Sequence, residues 1–159
     1  FRSQVYYMIS YISPSIKSDP FEPVYAIGLA AKKIGVSPET LRLYERVGLL
    51  IPHRTRSNRR LYTQKDIEWL ACIRKLILKD KLNLAGIRRL LALIPCWDIK
   101  PCTEKERKNC PAYLADDQVC WQIKDTSQAC QDAECRRCDV YLASGNINHL
   151  KQYYLMTKI

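Results

Sequence analysis

The chain has 159 residues, 47% of them hydrophobic, which suffices for one sizeable core or for a small domain with a second, smaller module. No apolar run approaches the roughly 20 residues that cross a bilayer, and the first residues lack the basic-then-apolar order of a secretory signal. We therefore expect a soluble, cytoplasmic protein with no membrane partner. The formal net charge is +10 at pH 7.

This positive charge is concentrated in one part of the sequence. Residues 24–95, here called the basic segment, hold 15 Lys and Arg against 5 Asp and Glu, whereas residues 96–143 hold 7 against 9. A compact cationic segment attracts phosphate and releases counterions on binding. The distribution favours nucleic acid as a partner, although a solvated basic surface gives the same pattern.

The chain opens with a stretch that does not favour a helix. Residues 1–23 contain three prolines, so we predict an arm there and assign it no function. The apolar spacing from Tyr25 to Ile34 then predicts a short helix that Gly35 ends. Ser37 is a predicted N-cap for a second helix, from Pro38 to Val47. Two short helices joined by a tight glycine turn predict a helix-turn-helix.

A basic hairpin and two further helices are predicted next. Residues 49–62 alternate extended apolar stretches with a polar centre, and Ser57 and Asn58 favour a turn. Thr63 and Asp66 form a predicted capping box for a third helix, over residues 64–79. Asn83 begins a fourth helix that Pro95 ends. The hairpin carries four arginines: Arg54, Arg56, Arg59 and Arg60.

The order of these elements indicates how the basic segment would meet DNA. The second helix can lie in the major groove while the hairpin, called the wing, reaches flanking phosphates. Base edges are read by side chains near the start of such a helix.

Residues 26–95 resemble the MerR family of bacterial regulators. The resemblance rests on Val36-Ser37-Pro38-Glu39-Thr40-Leu41-Arg42-Leu43-Tyr44-Glu45-Arg46-Val47-Gly48-Leu49-Leu50, followed by Pro52, Arg54, Thr55, Arg60, Tyr62, Asp66 and Ile67. It implies a winged helix-turn-helix that binds double-stranded promoter DNA as a homodimer, where RNA polymerase also binds. Activation by DNA twisting and repression are equally open.

The same resemblance implies roles for single residues. Thr40, Arg42 and Tyr44 would face DNA from the second helix. Arg54, Arg60 and Tyr62 would hold the wing on the DNA backbone. Three alternatives stay open: Tyr44 in the core, Arg42 paired with Glu39 or Glu45, and Tyr62 as a residue that packs the wing.

The second segment, residues 96–143, is rich in cysteine. Its seven cysteines fall within 43 residues: Cys96, Cys102, Cys110, Cys120, Cys130, Cys135 and Cys138. An odd number cannot form a complete intramolecular disulfide framework, and such density in a cytosolic protein favours metal binding or redox sensing. An eighth, Cys72, lies among apolar residues of the third helix, and we expect it to be buried.

The pattern of this cysteine-rich segment resembles the two-CW module of bacterial signalling proteins. The resemblance rests on Cys96-Trp97 and Cys120-Trp121, together with Cys110-Pro-Ala-Tyr113 and Cys138-Asp-Val-Tyr141. We expect the aromatic rings to fill the core of the module or to shield a bound group from solvent.

The cysteine spacing suggests an iron–sulfur cluster. Cys130-x4-Cys135-x2-Cys138 has the three-ligand spacing of plant-type ferredoxins, and Cys110 or Cys120 could supply the fourth thiolate. A 4Fe–4S cluster is the first expectation and a 2Fe–2S cluster the second. A zinc site and a thiol–disulfide switch stay open as alternatives.

The sequence thus predicts a mainly α protein: a winged helix-turn-helix of four helices and a hairpin in 24–95, an irregular cysteine-rich module in 96–143, and a C-terminal helix in 144–159. Pro95, Pro101 and Pro111 exclude the long dimerisation helix usual in the family, so the last helix, about Asn146 to Met156, is a candidate dimerisation or docking element.

We see no catalytic constellation and expect no enzyme. The hypothesis is a transcription regulator controlled by its cysteine module. An iron–sulfur electron-transfer protein with an accessory basic domain is the alternative from another class.

Overall fold

The computed structural model describes residues 19–100, 102–131 and 133–149. The fold is mainly helical with one small sheet, as predicted. The helices of the basic segment are α1 Ile27–Ile34, α2 Pro38–Arg46, α3 Gln64–Leu78 and α4 Leu84–Ala92. No helix in these described ranges has both the length and the apolar character needed to cross a membrane.

The sheet has three short antiparallel strands in the order β1, β3, β2. They are β1 Tyr25–Ala26, β2 His53–Arg54 and β3 Arg60–Tyr62, and the last two form the predicted wing. The expectation that α1 starts at Tyr25 is wrong. Tyr25 pairs with Tyr62 instead, because β3 offers hydrogen-bonding partners to the extended backbone there, and α1 begins two residues later.

Local capping fixes the ends of α1 and α2. Gly35 adopts φ 69° and ends α1, a conformation that glycine enters without a Cβ penalty. The Ser37 hydroxyl accepts a hydrogen bond from the Thr40 N–H at 3.1 Å, and Pro38 occupies the first position of α2. The predicted helix-turn-helix is confirmed, with α2 ending at Arg46.

A complete capping box starts α3, as predicted. The Thr63 hydroxyl accepts from the Asp66 N–H at 3.0 Å, and the Asp66 carboxylate accepts from the Thr63 N–H at 2.8 Å. Asp66 is only 6% exposed, so these bonds are needed to satisfy it. Burial raises the pKa of Asp66, although Thr63 and Arg136 oppose that shift.

Helix α3 buries Ile67, Leu70, Ile73 and Leu76, four of the six apolar residues predicted on its inward face. Trp69 is buried, and its indole N–H donates to the Leu49 carbonyl at 2.7 Å, whereas Ala71 is exposed. Cys72, expected in the core, is half-buried. Residues 144–149, which follow the cysteine-rich segment, also pack on α3.

The cysteine-rich segment is irregular, as predicted. Its helices are α5 Cys96–Ile99, α6 Glu104–Lys108, α7 Pro111–Leu114, α8 Gln128–Gln131 and α9 Asp139–Ala143. Between and after them lie 3-10 turns at Cys120–Gln122, Cys135–Arg137 and Ser144–His149.

Both segments share one hydrophobic core. Val119, Val140, Ala143 and Ile147 belong to the same buried cluster as the apolar faces of α3 and α4. Helix α9 passes directly into the 3-10 turn Ser144–His149, across the predicted module boundary. The predicted C-terminal helix begins as this 3-10 turn, with Asn146 at a non-helical φ of −108°, and its remainder lies outside the described residues.

Gly48 should be the glycine least tolerant of a side chain. It adopts φ 82°, and a Cβ would overlap the end of the Gln122 side chain. We expect Gly48→Ala to lower the free energy of unfolding by about 1–2 kcal/mol, measured by urea denaturation. Gly28→Ala is the control, because Gly28 lies in α1 with open space around it; it should be neutral or stabilising. If Gly48→Ala and Gly28→Ala changed the free energy of unfolding equally, the special constraint at Gly48 would be contradicted.

Candidate nucleic-acid interface and cysteine cavity

Helix α2 exposes two arginines around one carboxylate. Arg42 and Arg46 each donate to Glu39 at 3.1 Å, and all three side chains are well exposed. Their spacing of three or four residues places them on one face of the helix. Exposed ion pairs of this kind contribute little to stability, so the guanidinium groups can exchange Glu39 for a phosphate at low cost.

Glu45 joins the wing to α2. The guanidinium groups of Arg54 and Arg60 both donate to its carboxylate at 2.5 Å. Burial alone would raise the pKa of Glu45, but the bonds from Arg60 and Arg54 outweigh it and lower the pKa. Because Glu45 lies one turn after Arg42, the structure brings the arginines predicted on α2 and on the wing to one side of the molecule.

The wing tip carries further exposed cations. Its turn is built around Asn58, which adopts φ 60° and accepts from Arg54 at 2.8 Å, and this confirms the predicted turn position. The Thr55 hydroxyl accepts from the Arg59 N–H at 3.1 Å. Arg56 and Arg59 stand exposed there. The tip is therefore an ordered support for positive charge.

The structure corrects the expected positions of two tyrosines. Tyr44 is 3% exposed, because it follows Leu41 by three residues and shares its inward face of α2. Tyr62 is fully buried, and burial together with nearby Glu45 raises its pKa to about 12. Both rings belong to the buried core, which is the alternative left open for Tyr44, and the Tyr62 ring packs there from β3 of the wing. A contact from either side chain to DNA stays a prediction.

Thr40 has a local role in α2. Its side chain is half-buried, and a hydrogen bond of 2.9 Å joins its hydroxyl to that of Ser37. It thus adds to the N-cap of the helix. A contact from Thr40 to DNA stays a prediction.

The cysteine-rich segment encloses a cavity of about 270 Å³. Four thiols line it: Cys120, Cys130, Cys135 and Cys138. Trp121 and Tyr141 form part of its wall, and Lys100 reaches it from the end of α5. Of the two fourth ligands considered from the spacing, the wall contains Cys120, whereas Cys110 lies outside it.

The thiols influence one another electrostatically. Burial raises the pKa of Cys120 to about 12, and the neighbouring Cys96 and Cys138 add to the shift. Burial likewise raises the pKa of Cys96 to about 11, with Cys110 and Cys130 next in effect. Cys96 is therefore close enough to Cys110, Cys130 and Cys102 to be affected by their charge. A bound cation would reverse these shifts, since it favours thiolate.

The donor chemistry of the cavity fits a thiolate-bound group. Among the described residues, four cysteines and no histidine line this cavity. Zinc and iron–sulfur clusters can both be bound by four thiolates. Within the described ranges, no three Cys, His, Asp or Glu side chains already converge at metal-binding positions. Loading would therefore have to draw the thiols inward. The other predicted ligands, Cys96, Cys102 and Cys110, are not part of the cavity wall.

Each Cys-Trp pair contributes to an aromatic contact of the same kind. Trp97 meets Tyr113 edge to face with centroids 5.1 Å apart, and Trp121 meets Tyr141 edge to face at the same distance. The second pair also contacts the basic segment. The Trp121 indole N–H donates to the Gly48 carbonyl at 2.9 Å, and the Ile51 N–H donates to the Tyr141 hydroxyl at 2.8 Å.

Further side chains join the segments, among them Gln122 and Arg136. The Gln122 amide donates to the Arg46 carbonyl at 3.1 Å, and Arg136, between two cavity cysteines, lies 3.5 Å from the Asp66 carboxylate. The sequence singled out Trp121 and Tyr141 only as shielding or core-filling rings. Their partners lie 73 and 90 residues away, so no local pattern could reveal these bonds.

The sequence profile of the MerR HTH family regulatory proteins matches residues 25–94. This part of the chain is a MerR-type helix-turn-helix domain, as the resemblance implied.

Several bacterial proteins are similar over this region. The protein HspR of Streptomyces coelicolor, named for heat shock, is 42% identical over 82 residues, which are 48% of this chain and 54% of HspR. The HTH-type transcriptional regulator GlnR of Bacillus cereus is 37% identical over 71 residues, 45% of this chain and 54% of GlnR. The mercuric resistance operon regulatory protein of Bacillus cereus is 42% identical over 53 residues, 33% of this chain and 40% of that protein. The chain spans about half the length of the curated relatives it matches first.

Acid should loosen the wing by protonating Glu45. Its folded pKa lies below the ordinary 4.5, so the carboxylate contributes stability above pH 4.5 that is lost as the pH falls through the folded pKa. We expect Glu45→Gln to lower the free energy of unfolding by about 1 kcal/mol at pH 7. The deficit should shrink as the pH falls toward 4, measured by urea denaturation.

Glu68→Gln provides the control for this measurement. Glu68 forms an exposed pair with Lys65 at 2.9 Å, so its loss should leave stability close to that of the wild type. A Glu45→Gln deficit that stays constant through the acid range would contradict the role given to this carboxylate.

Proposed function

We propose that the protein is a DNA-binding transcriptional regulator. Helix α2 enters the major groove of promoter DNA and the wing holds the flanking phosphates. The observation that carries the proposal is the gathering of Arg42, Arg54 and Arg60 around α2 on one side of a MerR-type domain. The names of GlnR and of the mercuric resistance regulator support the regulatory class.

The physical roles of the cations differ. Arg54 and Arg60 are already ordered by Glu45, so their ordering costs little on binding. Arg42 is held by an exposed carboxylate and is free to move to a guanine edge or a phosphate. Arg56 and Arg59 add sequence-independent attraction at the wing tip.

The assembly is part of the same proposal. In the cytoplasm, two copies of the chain bind the half-sites of one promoter, which RNA polymerase also occupies. The positive excess of the basic segment supports a DNA partner of this kind. A dimer would match the two-fold symmetry of a palindromic operator.

We further propose that Cys120, Cys130, Cys135 and Cys138 hold an iron–sulfur cluster, 4Fe–4S before 2Fe–2S, with zinc as the alternative. Four thiols on one cavity wall support this assignment. The cluster would supply a redox-sensitive centre. Trp121 and Tyr141 would exclude water from it, and the state of the cavity would control DNA binding by the attached domain.

Replacement of Arg42 tests the DNA-binding assignment. Arg42→Ala should weaken binding to promoter DNA about tenfold or more, because one charge-assisted contact is lost. If the contact is to a phosphate, the slope of log K against log salt should fall by about 0.9. The control is Lys105→Ala, an exposed cation on α6. Equal affinity of Arg42→Ala and wild type, by fluorescence anisotropy across a salt series, would remove Arg42 from the interface.

Replacement of the cavity cysteines tests the cofactor assignment. Protein purified without oxygen should contain iron and sulfide and absorb visible light, and Cys120→Ala or Cys138→Ala should lose both the metal and the absorbance. Cys72→Ala, on α3, is the control and should retain them. Stoichiometric zinc with no visible absorbance would favour the zinc alternative. Protein that contains neither iron nor zinc would overturn the proposed site.

A further inference from the structure

The backbone between α2 and the wing depends on the cysteine-rich segment for hydrogen bonds. Two carbonyls at the end of α2, those of Arg46 and Gly48, accept from the side chains of Gln122 and Trp121. The Ile51 N–H, just before the wing, donates to the Tyr141 hydroxyl. Residues 46–51 are thus held at three points by side chains from residues 121–141.

The same aromatic rings border the cysteines. Trp121 and Tyr141 both line the cavity with the four thiols, and they contact each other edge to face with the rings perpendicular. Trp121 directly follows Cys120, and Tyr141 lies three residues after Cys138 on α9. A displacement of these cysteines would therefore move rings that are bonded to residues 46–51.

Residues 47–52 link α2 to the wing, so their shape sets the angle between the two elements that would contact DNA. The conformation of this link is constrained at Gly48. Its backbone is in the left-handed region, and the Gln122 side chain lies directly against it. Tyr141 is 6% exposed, and burial raises its pKa, so it remains a neutral phenol that accepts the Ile51 bond.

We propose that Trp121, Gln122 and Tyr141 are positioning residues for the DNA-binding face, through which the state of the cavity cysteines sets the angle between α2 and the wing. The inference rests on the proposed function and names the route by which that function is regulated. This role differs from plain core packing because three side-chain hydrogen bonds, and not only apolar contacts, join these residues to residues 46–51.

The chain contains a matched internal control. Tyr113 lies three residues after Cys110, as Tyr141 lies three residues after Cys138, and it forms the same edge-to-face contact with a Cys-Trp tryptophan, Trp97. Tyr113 is 38% exposed and packs beside Arg107 in the cysteine-rich segment. Tyr113→Phe therefore repeats the chemistry of Tyr141→Phe in the other aromatic pair.

The first test needs no DNA. Amide hydrogen exchange of the full chain should show the Ile51 N–H exchanging about tenfold faster or more in Tyr141→Phe than in the wild type, because the N–H loses its acceptor. Tyr113→Phe should leave this exchange unchanged. An unchanged Ile51 rate in Tyr141→Phe would overturn the positioning role, whether or not the protein binds DNA.

The second test measures DNA binding over a salt series. Tyr141→Phe should bind about tenfold more weakly, with a salt slope smaller by about 0.9 for each phosphate contact that the displaced wing loses. Partial unfolding would lower the active fraction and leave the slope unchanged, so weaker binding at an unchanged slope would overturn the inference. Gln122→Ala, at an exposed residue, should lower the slope in the same direction and serves if Tyr141→Phe does not fold.

The two tests separate the two levels of the proposal. If the wild type binds no DNA while Tyr141→Phe speeds Ile51 exchange, the proposed function fails, but the positioning of residues 46–51 by Tyr141 stands. If the wild type binds DNA and both variants match Tyr113→Phe in slope and affinity, the function stands and the inference fails.

Discussion

Three backbone groups in the short stretch between α2 and the wing are hydrogen-bonded to side chains from distant parts of the chain. The carbonyls of Gly48 and Leu49 accept from two tryptophans, Trp121 and Trp69, and the Ile51 N–H donates to Tyr141. Buried backbone polar groups without partners are costly, so this stretch takes its shape only when α3 and the cysteine-rich segment are in place. The position of the wing relative to α2 depends on this requirement.

The features that obey local rules could be predicted from the sequence. Ser37 and Thr63 cap their helices and Gly35 ends α1, because each needs only neighbours within three or four residues. The arginines of α2 and the wing also come together as the family resemblance implied, because Glu45 of α2 accepts from both Arg54 and Arg60. The fold class and the helix ends follow from short-range information, whereas the grouping of the arginines came from the resemblance.

The wrong predictions and the alternatives left open share a cause in long-range packing. Tyr44 and Tyr62 occupy motif positions, but the inward sides of α2 and the sheet place both rings in the core. Tyr25 is in a strand because it pairs with Tyr62 of β3, which lies 37 residues later in the chain. The cavity includes Cys120 and leaves Cys110 outside, a choice that spacing along the sequence could not make. Each depends on where distant elements meet.

The common core of the two segments has a consequence for how such a protein can be rebuilt. Val119, Val140 and Ile147 cover apolar surface of the helices that precede them. A fragment cut at Pro95 would leave that surface in water, where it favours aggregation. The helix-turn-helix part of this chain therefore cannot be transferred unchanged to another protein. A chimaera that joins it to a foreign sensor would need either a replacement cover of similar shape or a redesigned polar exterior on α3 and α4.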